Sequence, residues 1–94
     1  METDKQSTAN IVKRYMRYLK LERNYSENTI EAYRHDLHWL LDYLAANSLT
    51  PTEVRLEDLQ HFAATIHERG MSAKTQARIL SGVRVFYKFL NVDG

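Results

Sequence analysis

The stretch SAKTQARILSGVRVFYKFL, residues 72–90, decides the fold because it has the pattern of one amphipathic helix with two opposed faces. With successive residues about 100° apart, the apolar side chains fall on one arc of about 120°. This arc carries Ile79, Leu80, Val83, Phe86, Tyr87 and Leu90. The opposite arc carries Lys74, Arg78, Ser81, Arg84 and Lys88, interrupted only by Val85. With Ser72 as its cap, the segment predicts a helix over residues 73–90 that buries one face and presents a basic, acid-free face.

Three segments upstream show the same helical periodicity. Their predicted bounds are residues 10–22, from Ser26 or Asn28 to about residue 47, and residues 55–68. Gly70 follows the third segment where a C′ glycine ends a helix. Residues 1–9 are polar and lack periodicity, so we expect a flexible N-terminus there. No alternation typical of a strand is present, and the pattern therefore predicts an all-α domain of four helices.

Composition limits the class of protein. The chain has 94 residues, is 44% hydrophobic and 27% charged, and contains one proline, which is typical of one compact soluble domain. It has no cysteine, which excludes a disulfide framework and a thiolate metal site. No apolar run approaches the ~20 residues of a membrane span. We therefore expect a cytoplasmic protein with no membrane partner.

The net charge of +1 conceals a segregated pattern. Residues 10–25 carry +4 and residues 72–91 carry +4, whereas residues 26–48 carry −3 and residues 49–71 carry −2. A helix fits the major groove of DNA, where cations neutralise phosphates and an arginine such as Arg78 can contact a guanine edge. A basic face that is simply solvated explains the same pattern, and the charges alone leave both interpretations open.

Two motifs connect this pattern to a known family. Ser26, Asn28, Thr29, Tyr33, Asp36 and Leu37 match S-x-N-T-x-x-x-Y-x-x-D-L. Ser72, Thr75, Arg78, Leu80, Ser81, Arg84, Phe86, Tyr87, Phe89 and Leu90 match S-x-x-T/S-x-x-R-x-L-S-x-x-R-x-F-Y-x-F-L. Together, and at this separation, the motifs resemble the amino-terminal core-binding domain of tyrosine recombinases, the phage-integrase and Xer-like group. The resemblance covers residues 11–90.

This resemblance implies an orthogonally packed, SAM-like four-helix bundle over residues 10–91, with residues 92–94 beginning a linker to a catalytic domain. It implies that the domain grips duplex DNA at a recombination core site, with its second and fourth helices toward the major groove. The implied contacts on these two helices are Asn28, Thr29, Arg34, Lys74, Thr75, Arg78, Ser81, Arg84 and Lys88. The acids of the second helix would repel phosphate, so we expect Glu27, Glu31, Asp36 and Asp42 to face solvent or to pair with other helices.

In this family the catalytic residues belong to a separate carboxy-terminal domain, so the resemblance implies no catalysis by these 94 residues. It implies double-stranded DNA and other recombinase protomers as partners, and no cofactor or small-molecule ligand. His35 and His38 are spaced to clasp a metal on one helix, but no third ligand is evident, and we expect no metal site. Two alternatives stay open: a helical protein–protein module that docks the fourth helix on an acidic partner, and a stand-alone DNA-binding accessory protein.

The aromatic side chains have structural explanations. Tyr15, Tyr33 and Tyr87 fall on apolar stripes, so we expect them in the core rather than as reactive groups. Trp39 lies off the main stripe of the second helix. It is expected to pack against the first or third helix, with a role at an interface as the alternative.

Overall fold

The chain forms four α-helices in the computed structural model, which describes residues 8–93. They are α1 (Thr8–Leu21), α2 (Glu27–Ala46), α3 (Leu56–Glu68) and α4 (Ala73–Asp93), with a short 3₁₀ helix, Pro51–Glu53, between α2 and α3. No strand occurs in this part of the chain. The predicted all-α, four-helix fold is therefore confirmed.

Two helix ends differ from the prediction by more than one residue. Helix α1 begins at Thr8, two residues before the predicted start, and α4 continues through Asp93 rather than ending at Leu90. The segment 91–93 contains neither glycine nor proline, so no residue there opposes helical backbone. The last apolar residue of the stripe was therefore a poor marker of the helix end. Residues 1–7 of the predicted N-terminal tail, and Gly94, lie outside the described residues.

The same local motif begins both α2 and α4. The Ser26 Oγ accepts a hydrogen bond from the Thr29 N–H at 3.2 Å and donates one to the Thr29 Oγ1 at 3.0 Å. The Ser72 Oγ does the same with Thr75, at 3.1 Å for each contact. Ser26, rather than Asn28, is thus the cap of α2, and Ser72 caps α4 as predicted. At the other end of α3, Gly70 has φ +81°, the left-handed conformation that a C′ glycine adopts.

The core forms where α4 packs against the other three helices, most extensively against α2. Its centre on α4 consists of Ile79, Val83, Phe86 and Phe89, each at most 5% exposed. The Tyr15 ring meets the Phe86 ring edge-on, with centroids 5.0 Å apart, and lies 5.3 Å from Phe89.

The buried face of α4 lies part of a turn away from the predicted apolar stripe. Phe89 lies outside the predicted stripe but is only 1% exposed. Leu80, Tyr87 and Leu90 lie on the predicted stripe but are only half-buried. The core position of Tyr15 is confirmed, and Tyr33 and Tyr87 pack partly buried against the core. Trp39 also packs partly buried, with the Arg69 guanidinium at the end of α3 5.3 Å from its ring centroid. None of the helices in residues 8–93 is long and apolar enough to cross a bilayer.

Candidate nucleic-acid interface

The fourth helix presents to solvent three basic side chains that have no acidic partner among the described residues. They are Lys74, Arg84 and Lys88, and each of them is exposed. Ser81 is also exposed on this helix. The first turn of α4 contains no acid, so neither a carboxylate nor an ion pair there opposes an approaching anion. We call Lys74, Arg84 and Lys88 the α4 cations.

The fourth cation of the helix, Arg78, has a different environment. Its Nε donates to the Asp36 Oδ2 at 2.8 Å and its Nη2 donates to the Asp36 Oδ1 at 3.0 Å. The side chain of Asp36 is 6% exposed and that of Arg78 is 60% exposed. The hydrogen bonds and the negative charge of Asp36 raise the pKa of Arg78. The sequence of residues 72–91 contains no acid, but the fold brings Asp36 of α2 into contact with the basic face of α4. Asp36 pairs with another helix, which was one of the two expected environments for the acids of α2.

The candidate residues at the start of α2 are partly engaged within the helix. Arg34 forms a bidentate ion pair with Glu31 one turn earlier, through Nε at 3.3 Å from Oε1 and through Nη2 to Oε2. This pair raises the pKa of Arg34. Thr29 takes part in the cap of α2, as Thr75 does in that of α4. Asn28 is exposed.

Sequence reasoning missed a polar cluster between α1 and α2. The Tyr25 hydroxyl accepts from the Arg23 Nε at 3.2 Å and Nη2 at 2.8 Å, and the Tyr33 hydroxyl lies 3.5 Å away as a further donor. The hydrogen bonds from Tyr33 and Arg23 lower the pKa of Tyr25, and the contact with Tyr25 together with burial raises the pKa of Tyr33. The turn at Asn24, with φ +56°, brings Arg23 and Tyr25 together. The asparagine was the one available signal, because this residue type tolerates left-handed backbone.

An apolar groove separates α3 from α4. It has a volume of about 580 Å³ and is lined by Leu56, Leu59, Phe62, Leu80, Val83, Tyr87, Arg84, Lys88 and Asn91. Leu56, at the start of α3, is 72% exposed. Two of the α4 cations, Arg84 and Lys88, thus also line this groove.

The histidines of α2 do not belong to a larger cluster of metal ligands in the described part of the chain. The His38 Nε2 lies 3.2 Å from the Asp42 Oδ2, one turn away on the same helix. No group of three or more histidine or acidic side chains suited to a metal occurs in residues 8–93.

Comparison with known proteins assigns the class. Residues 12–94 match the family described as phage integrase, N-terminal SAM-like domain. The chain belongs to this family, and the four-helix bundle described above is its SAM-like fold.

The most similar relatives include tyrosine recombinases of the Xer type. Tyrosine recombinase XerC of Pseudomonas syringae pv. tomato is 41% identical over 81 residues, which are 85% of this chain and 27% of that protein. Tyrosine recombinase XerD of Chlorobaculum tepidum is 40% identical over 76 residues, 81% of this chain and 25% of that protein. Tyrosine recombinase XerC of Leptospira interrogans serovar Lai is 33% identical over 90 residues, 95% of this chain and 29% of that protein.

The chain therefore spans about a quarter of the length of the curated relatives it matches. No solved structure gives a significant match. The resemblance to tyrosine recombinases that the two motifs indicated is confirmed by these matches.

Proposed function

We propose that the chain is the DNA-binding, core-binding domain of a site-specific tyrosine recombinase, and that it grips duplex DNA at the recombination core site. The α4 cations carry this proposal. Three exposed cations without acidic partners on one helix offer their full charge to phosphates, and neutralising phosphates releases the counterions that drive binding. Family membership supplies the recombination context.

The amino-terminal ends of α2 and α4 add to this surface. Helix N-termini attract phosphate through their free N–H groups and the helix dipole. The first turn of α4 has no acid, whereas Glu27 occupies the first turn of α2. We therefore infer that α4 contributes more of the phosphate contacts, and that Asn28 and Thr29 contribute at the edge.

The chemistry of recombination is proposed for the longer proteins of this group. Relatives named tyrosine recombinases imply a reaction in which DNA is broken and rejoined through a 3′-phosphotyrosine intermediate, with several protomers assembled on DNA. In such an enzyme the residues described here bind and orient the duplex, and other residues perform the chemistry. The 94-residue chain alone is therefore expected to bind DNA without forming a covalent adduct.

Fluorescence anisotropy with a labelled duplex tests the proposal. A single domain makes few phosphate contacts, so we expect a dissociation constant of roughly 10⁻⁴–10⁻⁶ M at physiological salt. The logarithm of the affinity should fall linearly with the logarithm of the salt concentration. Absence of binding at low salt, or nanomolar binding that salt does not weaken, would refute the electrostatic account.

A protein-interaction module is the second candidate, and the groove between α3 and α4 favours it. The exposed Leu56 and the apolar lining of the groove are features of protein contacts. Under this alternative, the unaltered chain would capture a protein partner and would show no detectable binding to duplex DNA. The Leu56→Ser variant would no longer capture that partner. The other alternative is a stand-alone DNA-binding accessory protein. It would use the same surface as the proposed recombinase domain, and only the length of the complete reading frame distinguishes the two.

A further inference from the structure

Asp36, at 5% exposed, is the one buried acidic residue among those whose side chains the structure describes. It precedes the core residue Leu37 on α2, which is 3% exposed. Burying a carboxylate lowers stability unless strong hydrogen bonds compensate for the lost hydration. Both of its oxygens accept from Arg78, 42 residues away on α4. The pair therefore fixes one particular arginine relative to both helices.

The geometry of this pair leaves three of the five N–H donors of the Arg78 guanidinium unused by Asp36. An arginine has five N–H donors in one plane. Asp36 uses the Nε–H and one N–H of Nη2, so the two donors of Nη1 and the second donor of Nη2 stay outside the pair. The edge formed by Nη1 and Nη2 is itself a two-donor fork, suited to two adjacent acceptors. Because the Arg78 side chain is 60% exposed, this second edge is accessible to a ligand.

Several small residues line the space beside the fork. A hollow of about 340 Å³ at the contact of α2 and α4 is lined by Ala32, Tyr33, Asp36, Ala77, Arg78, Ser81 and Gly82. A Cβ added at Gly82 would meet no atom within 4 Å. Gly82 is therefore not required for packing between helices, and the space beside Arg78 is open. Tyr33 is the one large side chain in this lining apart from the pair itself, and on the side of Ala77, Ser81 and Gly82 a flat acceptor edge can approach the guanidinium.

The charges distinguish Arg78 from the α4 cations. Its positive charge is already balanced by Asp36, so it adds little to the counterion release that drives phosphate binding. The pair nevertheless holds the free Nη1–Nη2 edge of Arg78 in a defined orientation. A two-donor edge in a fixed orientation is what reading the O6 and N7 of guanine requires. We infer that Asp36 is a positioning residue that holds Arg78 to read a guanine edge, while the α4 cations bind phosphates; this inference rests on the proposed function.

Asp36→Asn tests the inference because two accounts predict opposite results. The first step is to select preferred duplexes from a randomised pool with the unaltered chain, and to compare their affinity with that of random duplex. If charge alone matters, removing an acid near the DNA raises affinity for every sequence. If Asp36 positions Arg78, the variant keeps or gains affinity for random duplex but loses most of its preference for the selected one, a preference of roughly 5- to 150-fold per bidentate contact.

Two controls separate positioning from stability and from charge. Asp42→Asn removes the same charge from an exposed site on α2 and should leave the preference unchanged. Arg78→Lys keeps the charge but lacks the fork, and should lose the preference as Asp36→Asn does, whereas Arg55→Lys, on neither α2 nor α4, should retain it. If Asp36→Asn does not fold by circular dichroism, Asp36→Glu, which keeps the charge but shifts the carboxylate, takes its place and should also lose the preference.

Substitution of the selected guanines by 7-deazaguanine completes the test, because it removes the N7 acceptor. The modified duplex should bind the unaltered chain more weakly and should bind Asp36→Asn and Arg78→Lys no differently from the unmodified duplex. The inference would be overturned if both variants retain the preference, or if the pool yields no guanine-dependent sequence. In either case the proposed function stays intact as long as random duplex still binds in a salt-dependent way. Absence of any duplex binding would overturn both.

Discussion

Phe89→Ala should destabilise the domain strongly, although the apolar stripe of α4 did not include this residue. Phe89 is 1% exposed, and its ring centroid lies 5.3 Å from that of Tyr15 and 5.1 Å from that of Tyr18. The Arg14 guanidinium lies 5.8 Å from the same centroid. Phe89 therefore joins α4 to two turns of α1.

The expected magnitude follows from this environment. Truncating a buried phenylalanine to alanine lowers the free energy of unfolding by about 3–5 kcal/mol. The loss combines the transfer free energy of the removed atoms with the cost of the cavity that remains. Each ring contact of this kind is worth roughly 0.5–1.5 kcal/mol beyond the buried area, which places Phe89 in the upper part of that range. In a domain of this size each kcal/mol shifts the melting temperature by about 4–8 °C, so the loss should be at least about 12 °C.

Thermal denaturation followed by circular dichroism measures this loss. Leu90→Ala is the matched control, because Leu90 is the next residue, was placed on the predicted stripe and is only half-buried. Its melting temperature should fall by less than half as much as that of Phe89→Ala. If Leu90→Ala is the more damaging of the two variants, the packing of α4 on α1 described here is wrong and the simple helical stripe is the better account.

Three further predictions concern single contacts. Arg78→Ala should lower the melting temperature because it leaves the buried Asp36 carboxylate unpaired. Adding Asp36→Leu to this variant should recover stability, since the double change removes the buried charge. If the double variant is no more stable than Arg78→Ala, the assigned pair is wrong. Gly70→Ala should cost about 1–2 kcal/mol in chemical denaturation because φ is +81° there, and an unchanged midpoint would exclude that backbone conformation. Tyr33→Phe removes a hydrogen bond that favours the Tyr25 phenolate, so the pKa of Tyr25 should rise toward its ordinary value in an NMR titration of labelled tyrosine, and a fall would contradict the cluster.

Much of the fold could be predicted because its signals are local. The apolar period of α4, the cap at Ser72 and the glycine at position 70 each depend on residues within one or two turns, and the structure contains all three features. The stripe itself was less exact. A helical wheel places Leu80 and Tyr87 on the apolar arc and Phe89 outside it, and only the position of α1 decides that Phe89 is the buried one.

The candidate site depends on contacts that no local pattern contains. Asp36 and Arg78 are 42 residues apart, and their contact requires a particular register of α2 on α4. Of the four acids of α2 only Asp36 belongs to the first motif, but nothing in the motif indicates that this acid is buried or that Arg78 is its partner. Arg23 and Tyr25 meet across a turn without periodicity, so their cluster gave no helical signal. The exposed α4 cations were predictable because a helix with one buried face leaves the opposite residues in solvent.

The salt dependence of duplex binding tests the central claim most directly. The chain with Lys74→Ala, Arg84→Ala and Lys88→Ala should show a slope of log affinity against log salt that is flatter by about 2.7, since each lost phosphate contact removes about 0.9. Arg55→Ala, an exposed cation on neither α2 nor α4, should leave the slope unchanged. If the triple variant binds duplex with the slope of the unaltered chain while keeping its melting temperature, the α4 cations do not meet phosphates and the proposed DNA-binding surface is wrong.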